Sequence, residues 1–327
     1  MKCTWLTFDK RVRLKTELES FEVFRQSSKC FVLDLLYIAL LALGSVGLWA
    51  GVWVFRYWKR LPPMEAPMVL PAPQSHALVL VHGFMGFEHI EIFGKKQSYF
   101  YGIAEKLRET GVTLYTAKVS SMGTVPQRAE ALAEFVKSLD CKKLVLLGHS
   151  MGGLDARYAV SQCGIDDRIK GVVSIGTPHL GTPLADLSRL EVAKAMRWVF
   201  EKCHVSLDAL DWLSEEKAKS FESLMPKVDG CFYGSVVGKT SRKSLIWKPA
   251  LLAGFEILTR MRGENDGMVH TGSQSYGELI TRVDADHWAQ AGWLGKGDSS
   301  DFYFEIMRAL GRSHIEMGFV DPAANKV

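Results

Sequence analysis

The alternation of apolar and polar positions divides the chain into unlike stretches. Residues 35–54 (LLYIALLALGSVGLWAGVWV) run for twenty positions without a charge. At about 1.5 Å per residue, a helix over them spans the roughly 30 Å hydrocarbon core of a bilayer. Trp49, Trp53, Tyr57 and Trp58 gather near its end, where amphipathic rings favour the membrane interface. Arg56, Lys59 and Arg60 then close it. A cleaved signal fits poorly, because the apolar run is too long and no small-residue cleavage site follows. The pattern predicts a polar segment over 1–34 and a single-pass membrane anchor over 35–56. Lys10, Arg11, Arg13, Lys15, Arg25 and Lys29 precede the run. By count they favour a cytoplasmic N-terminus, which leaves the rest of the chain extracytoplasmic. Residues 57–75 carry Pro62, Pro63, Pro67, Pro71 and Pro73, the composition of a semi-rigid spacer.

From residue 76 short apolar runs alternate with helical stretches. Strands are expected at 77–81 (ALVLV), 112–119, 143–147 (KLVLL), 171–175 (GVVSI) and 279–283. Helices are expected at 99–110, at 126–139 and from the third strand through about Cys163. Such alternation predicts an α/β fold, a mostly parallel sheet with helices on both faces. The spacing assigns this domain to 76–315 and leaves 316–327 as a tail. In such sheets chemistry collects at the carboxyl ends of the strands.

The motif Gly148-His149-Ser150-Met151-Gly152 lies at one of those ends, between the strand KLVLL and the next helix. A strand-to-helix reversal this sharp forces the central residue into a strained backbone conformation, and only glycine fits on either side. The product is an exposed Ser150 hydroxyl at a helix N-terminus, where the dipole favours a developing oxyanion. Acyl transfer also needs two backbone N–H groups aimed at that oxyanion. Met151 supplies one, and Phe84 in His82-Gly83-Phe84-Met85-Gly86, just after the first strand, supplies the other.

A serine nucleophile needs a base and the base needs an orienting acid, in the chain order serine, acid, histidine. Asp266 sits in the turn Asn265-Asp266-Gly267, after an apolar run. His287, in Asp286-His287-Trp288, follows the strand 279–283. The rival histidines are weaker. His270 is close to Asp266 in sequence, His314 lies in a C-terminal helical region, and His179 and His204 precede the acid. Asp286 adjoins His287, which disfavours it as orienting partner, and Asp284 is not expected to reach the imidazole.

Composition narrows the classes. The chain is 47% hydrophobic with a net charge of +4, and its Lys and Arg form no basic block, so nucleic-acid binding has no support. The six cysteines show no zinc spacing. Cys203 and Cys231 are read either as a pair or as free thiols.

Residues 76–295 resemble the Pseudomonas-type true bacterial lipases and their eukaryotic triacylglycerol-lipase relatives, members of the α/β-hydrolase superfamily. The matching stretches are LVLVHGFMGF (78–87), YFYGI (99–103), LVLLGHSMGGLDARY (144–158), SIGTPHLGTPLAD (174–186), ENDGMVHTGSQSYGELI (264–280) and DHWAQ (286–290). The resemblance implies the α/β-hydrolase fold and a serine hydrolase acting on lipid esters. It implies Ser150, Asp266 and His287 as triad, with Phe84 and Met151 as oxyanion donors. Secreted members hold a structural calcium partly through an aspartate two residues after the catalytic histidine. Here that position is Ala289, so no cofactor is expected. The family's lid region corresponds to about 184–225, with helices expected at 184–202 and 206–224. Leu187, Leu190, Ala193, Met196, Val199 and Phe200 recur there at helical spacing, a pattern open to either a core-facing stripe or a lid. The same triad serves phospholipases, glycolipid deacylases and acyltransferases, and a catalytically silent membrane scaffold is the reading from a different class.

Overall fold

The computed structural model describes residues 74–84, 86, 89–92, 95–165, 167–187, 208–293 and 301–323. The polar segment 1–34, the anchor expected over 35–56 and nearly all of the spacer lie outside them. Among the described residues no helix is long and apolar enough to cross a membrane.

Six parallel strands form the central sheet: β1 (Gln74–Val81), β4 (Leu114–Thr116), β5 (Cys141–His149), β6 (Ile169–Ile175), β7 (Phe232–Lys239) and β8 (Glu278–Asp284). Their order is β4-β1-β5-β6-β7-β8. A two-stranded antiparallel hairpin, β2 (His89–Ile92) and β3 (Lys95–Ser98), follows β1. The chain moves outward from β1 to β4, then crosses back over β1 to β5. That reversal opens a crevice at the carboxyl ends of β1 and β5, the place where ligands bind in open α/β sheets.

Alternate residues of β1 serve opposite faces, as the strand pleat requires. Leu78 and Leu80 join one core with α1 (Ile103–Glu109) and α11 (Phe302–Arg312), through Ile103, Leu107, Ile306 and Leu310. Ala77, Val79 and Val81 join the other with α2 (Val125–Ser138) and α3 (Met151–Gln162), through Ala129, Leu132, Val136 and Ala156. A strand buried on both faces reads as an unbroken apolar run, which is why ALVLV and KLVLL were plain in the sequence. Helix α2 begins one residue before the expected start, where the Thr124 N–H donates to the Gln127 side chain at 3.0 Å and closes the first turn.

The expected helix over 206–224 is three short turns instead: α5 (Asp208–Asp211), α6 (Glu215–Ala218) and α7 (Phe221–Leu224). The Ser214 hydroxyl donates to the Asp211 carbonyl and accepts from the Lys217 N–H, so it competes with the helix ladder and breaks it. These turns bury Ala209, Leu213, Ala218 and Phe221 against Met151 and Leu154. Of the expected helix over 184–202 the described part is α4 (Pro183–Leu187). At the C-terminus Met317 is buried in the core and the Val320 N–H donates to the Thr110 carbonyl, so the packed domain continues past 315.

Candidate active site

Val81 pairs with Gly148, so the loop after β1 and the turn after β5 leave the sheet side by side. Ser150 stands between β5 and α3 with φ 56° and ψ −128°, a backbone conformation that non-glycine residues rarely adopt. Its N–H is tied to the Ile175 carbonyl on β6 at 2.9 Å. The flanking glycines are a packing requirement. A Cβ on Gly148 would overlap the backbone of Gly152 and Gly153, and one on Gly152 would overlap the Val81 carbonyl.

Met151 begins α3, so its N–H has no intrahelical acceptor. Phe84 packs against the cluster that contains Met151. The structure therefore brings the two expected oxyanion donors to the same corner as Ser150. The loop that carries Phe84 is fastened from below. Arg128, fully buried on α2, donates to the His82 carbonyl at 2.6 Å and pairs with Asp155 of α3 at 2.7 Å. It also donates to the Ser120 carbonyl. Burial, with Arg128 close by, pushes the His82 imidazole down to about 4.

Asp266 lies in the turn after α9 (Pro249–Arg262) and is fully buried. Its Oδ1 accepts from the N–H groups of Met268 at 2.9 Å and Val269 at 2.8 Å. Its Oδ2 lies 2.8 Å from His287 Nδ1, and the His287 N–H donates to the Asp266 carbonyl at 2.9 Å. The His287 ring packs on the ring of His149, the residue before Ser150, with centroids 4.7 Å apart. His149 in turn bonds the Tyr99 hydroxyl through Nδ1 at 2.7 Å. Burial foremost, then the neighbouring His287, holds the His149 imidazole well below the ordinary histidine value.

The rival histidines fall elsewhere. His179 is enclosed between Arg157 at 3.1 Å and Ser174 at 2.9 Å, and His270 faces Glu215 at 3.8 Å. His314 is exposed beyond α11, and His204 lies outside the described residues. Asp284 is exposed. Asp286 does not orient His287; its Oδ2 pairs with Lys248 at 2.5 Å, and its Oδ1 caps the N–H groups of Trp288 and Ala289. Cys231 is a free thiol, and Cys203 lies outside the described residues.

The resemblance implies a calcium ligand at position 289, which here is alanine. Ala289 is buried in a one-turn 3-10 helix, and every oxygen of Asp286 is already committed. Among the described residues no group of three or more His, Cys, Asp or Glu converges as metal ligands would.

Several residues of this corner were missed from sequence. Asn265 accepts from the Gly267 N–H at 2.9 Å and donates to Gly263 and Thr259, which ties the Asp266 turn to α9. Gln290 donates to Asp266 Oδ2 at 2.9 Å. Asn265 adjoins the motif and Gln290 ends the stretch DHWAQ, but nothing in a single sequence says that an amide there is buried.

The α/β-hydrolase-fold family model matches residues 76–223. A triacylglycerol lipase of Vibrio cholerae serotype O1 is 38% identical over 118 residues, 35% of this chain and 36% of that protein. Triacylglycerol lipase 2 of Saccharomyces cerevisiae is 31% identical over 230 residues, 63% of this chain and 66% of its own length. The chain thus spans about a third of the first relative and just under two thirds of the second. Among solved structures, Staphylococcus hyicus lipase superposes with a TM-score of 0.62 at 16% identity, over 76% of this chain and 99% of that one. The mature lipase BlEst2 of Bacillus licheniformis gives 0.57 at 22% identity, over 76% and 95%. These two share its fold.

Proposed function

We propose that the chain is a lipase-type α/β hydrolase, as its similarity to triacylglycerol lipases supports, and that it hydrolyses carboxylic esters of lipids through Ser150, His287 and Asp266. The observation that carries the reading is the left-handed backbone of Ser150 at the start of a buried helix. Nothing in packing alone requires a serine there, and strain of this kind persists where function uses it.

The mechanism follows from the groups at hand. His287, oriented through Nδ1 by Asp266, takes the Ser150 proton at Nε2 as the hydroxyl oxygen attacks the ester carbonyl. The carbonyl oxygen becomes an oxyanion that the Met151 and Phe84 N–H groups receive. Collapse expels the alcohol, which takes its proton from His287, and leaves an acyl group on Ser150. Water, deprotonated by His287, attacks that acyl-enzyme and releases the acid.

A lipid substrate is supported by the exposed side chains at this end of the sheet. Leu180, Met268 and Trp288 are exposed apolar residues close in sequence to β6, Asp266 and His287. The anchor over 35–56 would tether the hydrolase to a membrane, with the domain on the extracytoplasmic side, and calcium would have no part in either folding or catalysis.

The test is a substrate panel on native protein and Ser150→Ala, from short p-nitrophenyl esters to long-chain triacylglycerols and phospholipids. The reading predicts ester hydrolysis by the native protein and a loss on the order of 10⁵–10⁶ in the variant. Phospholipid turnover without triacylglycerol turnover would make it a phospholipase. Equal rates in native and variant would remove Ser150 from the chemistry.

A further inference from the structure

Asp266 receives more than one hydrogen bond on the oxygen that faces His287. Oδ2 accepts from His287 Nδ1 at 2.8 Å and from Gln290 Nε2 at 2.9 Å. Gln290 is fully buried. Its backbone is fixed on both sides: the N–H donates to the Asp286 carbonyl at 3.0 Å, and the carbonyl accepts from the Tyr303 hydroxyl of α11 at 2.8 Å. The amide rests in a slot between the ends of β6 and β7. A Cβ on Gly176 or Gly238 would overlap it. Exchanging the amide oxygen and nitrogen would set two acceptors face to face at Asp266 Oδ2, so the chemistry selects the orientation with nitrogen toward the carboxylate. Gln290 Oε1 is then buried with no partner among the described residues. Leaving an acceptor unpartnered costs stability, and a buried position of this kind is retained where the donor end has a use.

We propose that Gln290 is a positioning residue for the Asp266–His287 pair, its carboxamide fixing the rotation of the Asp266 carboxylate so that Oδ2 stays aimed at Nδ1. With Met268 and Val269 holding Oδ1, the Gln290 donor completes a clamp on both oxygens. The carboxylate cannot turn about its last torsion without losing a charge-assisted bond. The inference rests on the reading of Asp266 and His287 as the acid–base pair.

The experiment compares Gln290→Met, Gln290→Glu and native protein in kcat, KM, fluorophosphonate labelling rate and the pH profile of kcat/KM. Gln290→Met keeps the length and removes the donor. The expected result is a fall in kcat and labelling rate of about 10- to 100-fold, with KM within about twofold. Gln290→Glu sets a second carboxylate against Asp266, and the added negative charge favours the imidazolium. Its acid limb should move to higher pH. A residue with only a structural role would lower the melting temperature and leave the limb in place. The proposal is overturned if the folded variants keep native kcat and an unmoved acid limb. Should Gln290→Met fail to fold, the limb of Gln290→Glu decides alone. If native protein itself resists the probe, the hydrolase reading has failed, which is a different outcome from native labelling that the variants leave unchanged.

Discussion

Lys248 Nζ lies 2.5 Å from Asp286 Oδ2, a buried ion pair one residue from His287. Lys248 is the N-cap of α9 and Asp286 begins the loop after β8, so the pair clamps that loop to a helix. By sequence position Asp286 was a bystander beside the histidine; in the fold it anchors the histidine loop. Asp286→Ala removes one partner of this buried pair, a change that costs about 3–5 kcal/mol. Denaturant unfolding should show a loss of that size, and Asp284→Asn, at an exposed position, almost none. Equal stabilities for the two variants would mean that the pair carries nothing.

The loop after β1 should respond in the same way to its own anchor. Arg128 reaches the His82 carbonyl, the Ser120 carbonyl and Asp155 at once. Arg128→Ala leaves the Asp155 carboxylate buried and unpaired and should destabilise by about 3–5 kcal/mol. Because His82 leads into Phe84, the surviving folded fraction should also lose kcat. A variant that keeps native kcat and stability would refute this account of the loop.

How much of this was legible follows from range. The elbow could be read in part because Gly148 answers a contact only a few residues away, at Gly152, although Gly152 itself answers the distant Val81 carbonyl. β1 and β5 could be read because burial on both faces leaves an unbroken apolar run. β7 (FYGSVVGK) was not anticipated: Gly234 and Gly238 interrupt its pattern, and the second is glycine because Gln290 lies against it. Asp266 and His287 were read from turn chemistry and chain order. Gln290, Lys248 and Arg128 act through partners 24, 38 and 27 residues distant. No local pattern records such pairings.

Calcium offers a test that needs no mutation. With Ala289 in place of a carboxylate and Asp286 bound to Lys248, chelation should leave both rate and melting temperature unchanged. A loss with chelator that added calcium restores would reveal a site formed outside the described residues.

The anchor can be tested by fractionation. Full-length protein should sediment with membranes, and a chain lacking residues 1–60 should be soluble and hydrolyse a short ester at a comparable rate. Full-length protein that stays in the soluble fraction would rule out the membrane span.

The central claim is that Ser150 is the nucleophile, and the measurement that meets it most directly is the mass of the protein after reaction with a fluorophosphonate. The account predicts one adduct per chain, on the peptide that contains Ser150. It predicts no adduct in Ser150→Ala, and labelling slowed by about 10⁴ in Asp266→Asn, by analogy with the aspartate of the serine-protease triad. An adduct on another residue, or undiminished labelling of Ser150→Ala, would contradict it.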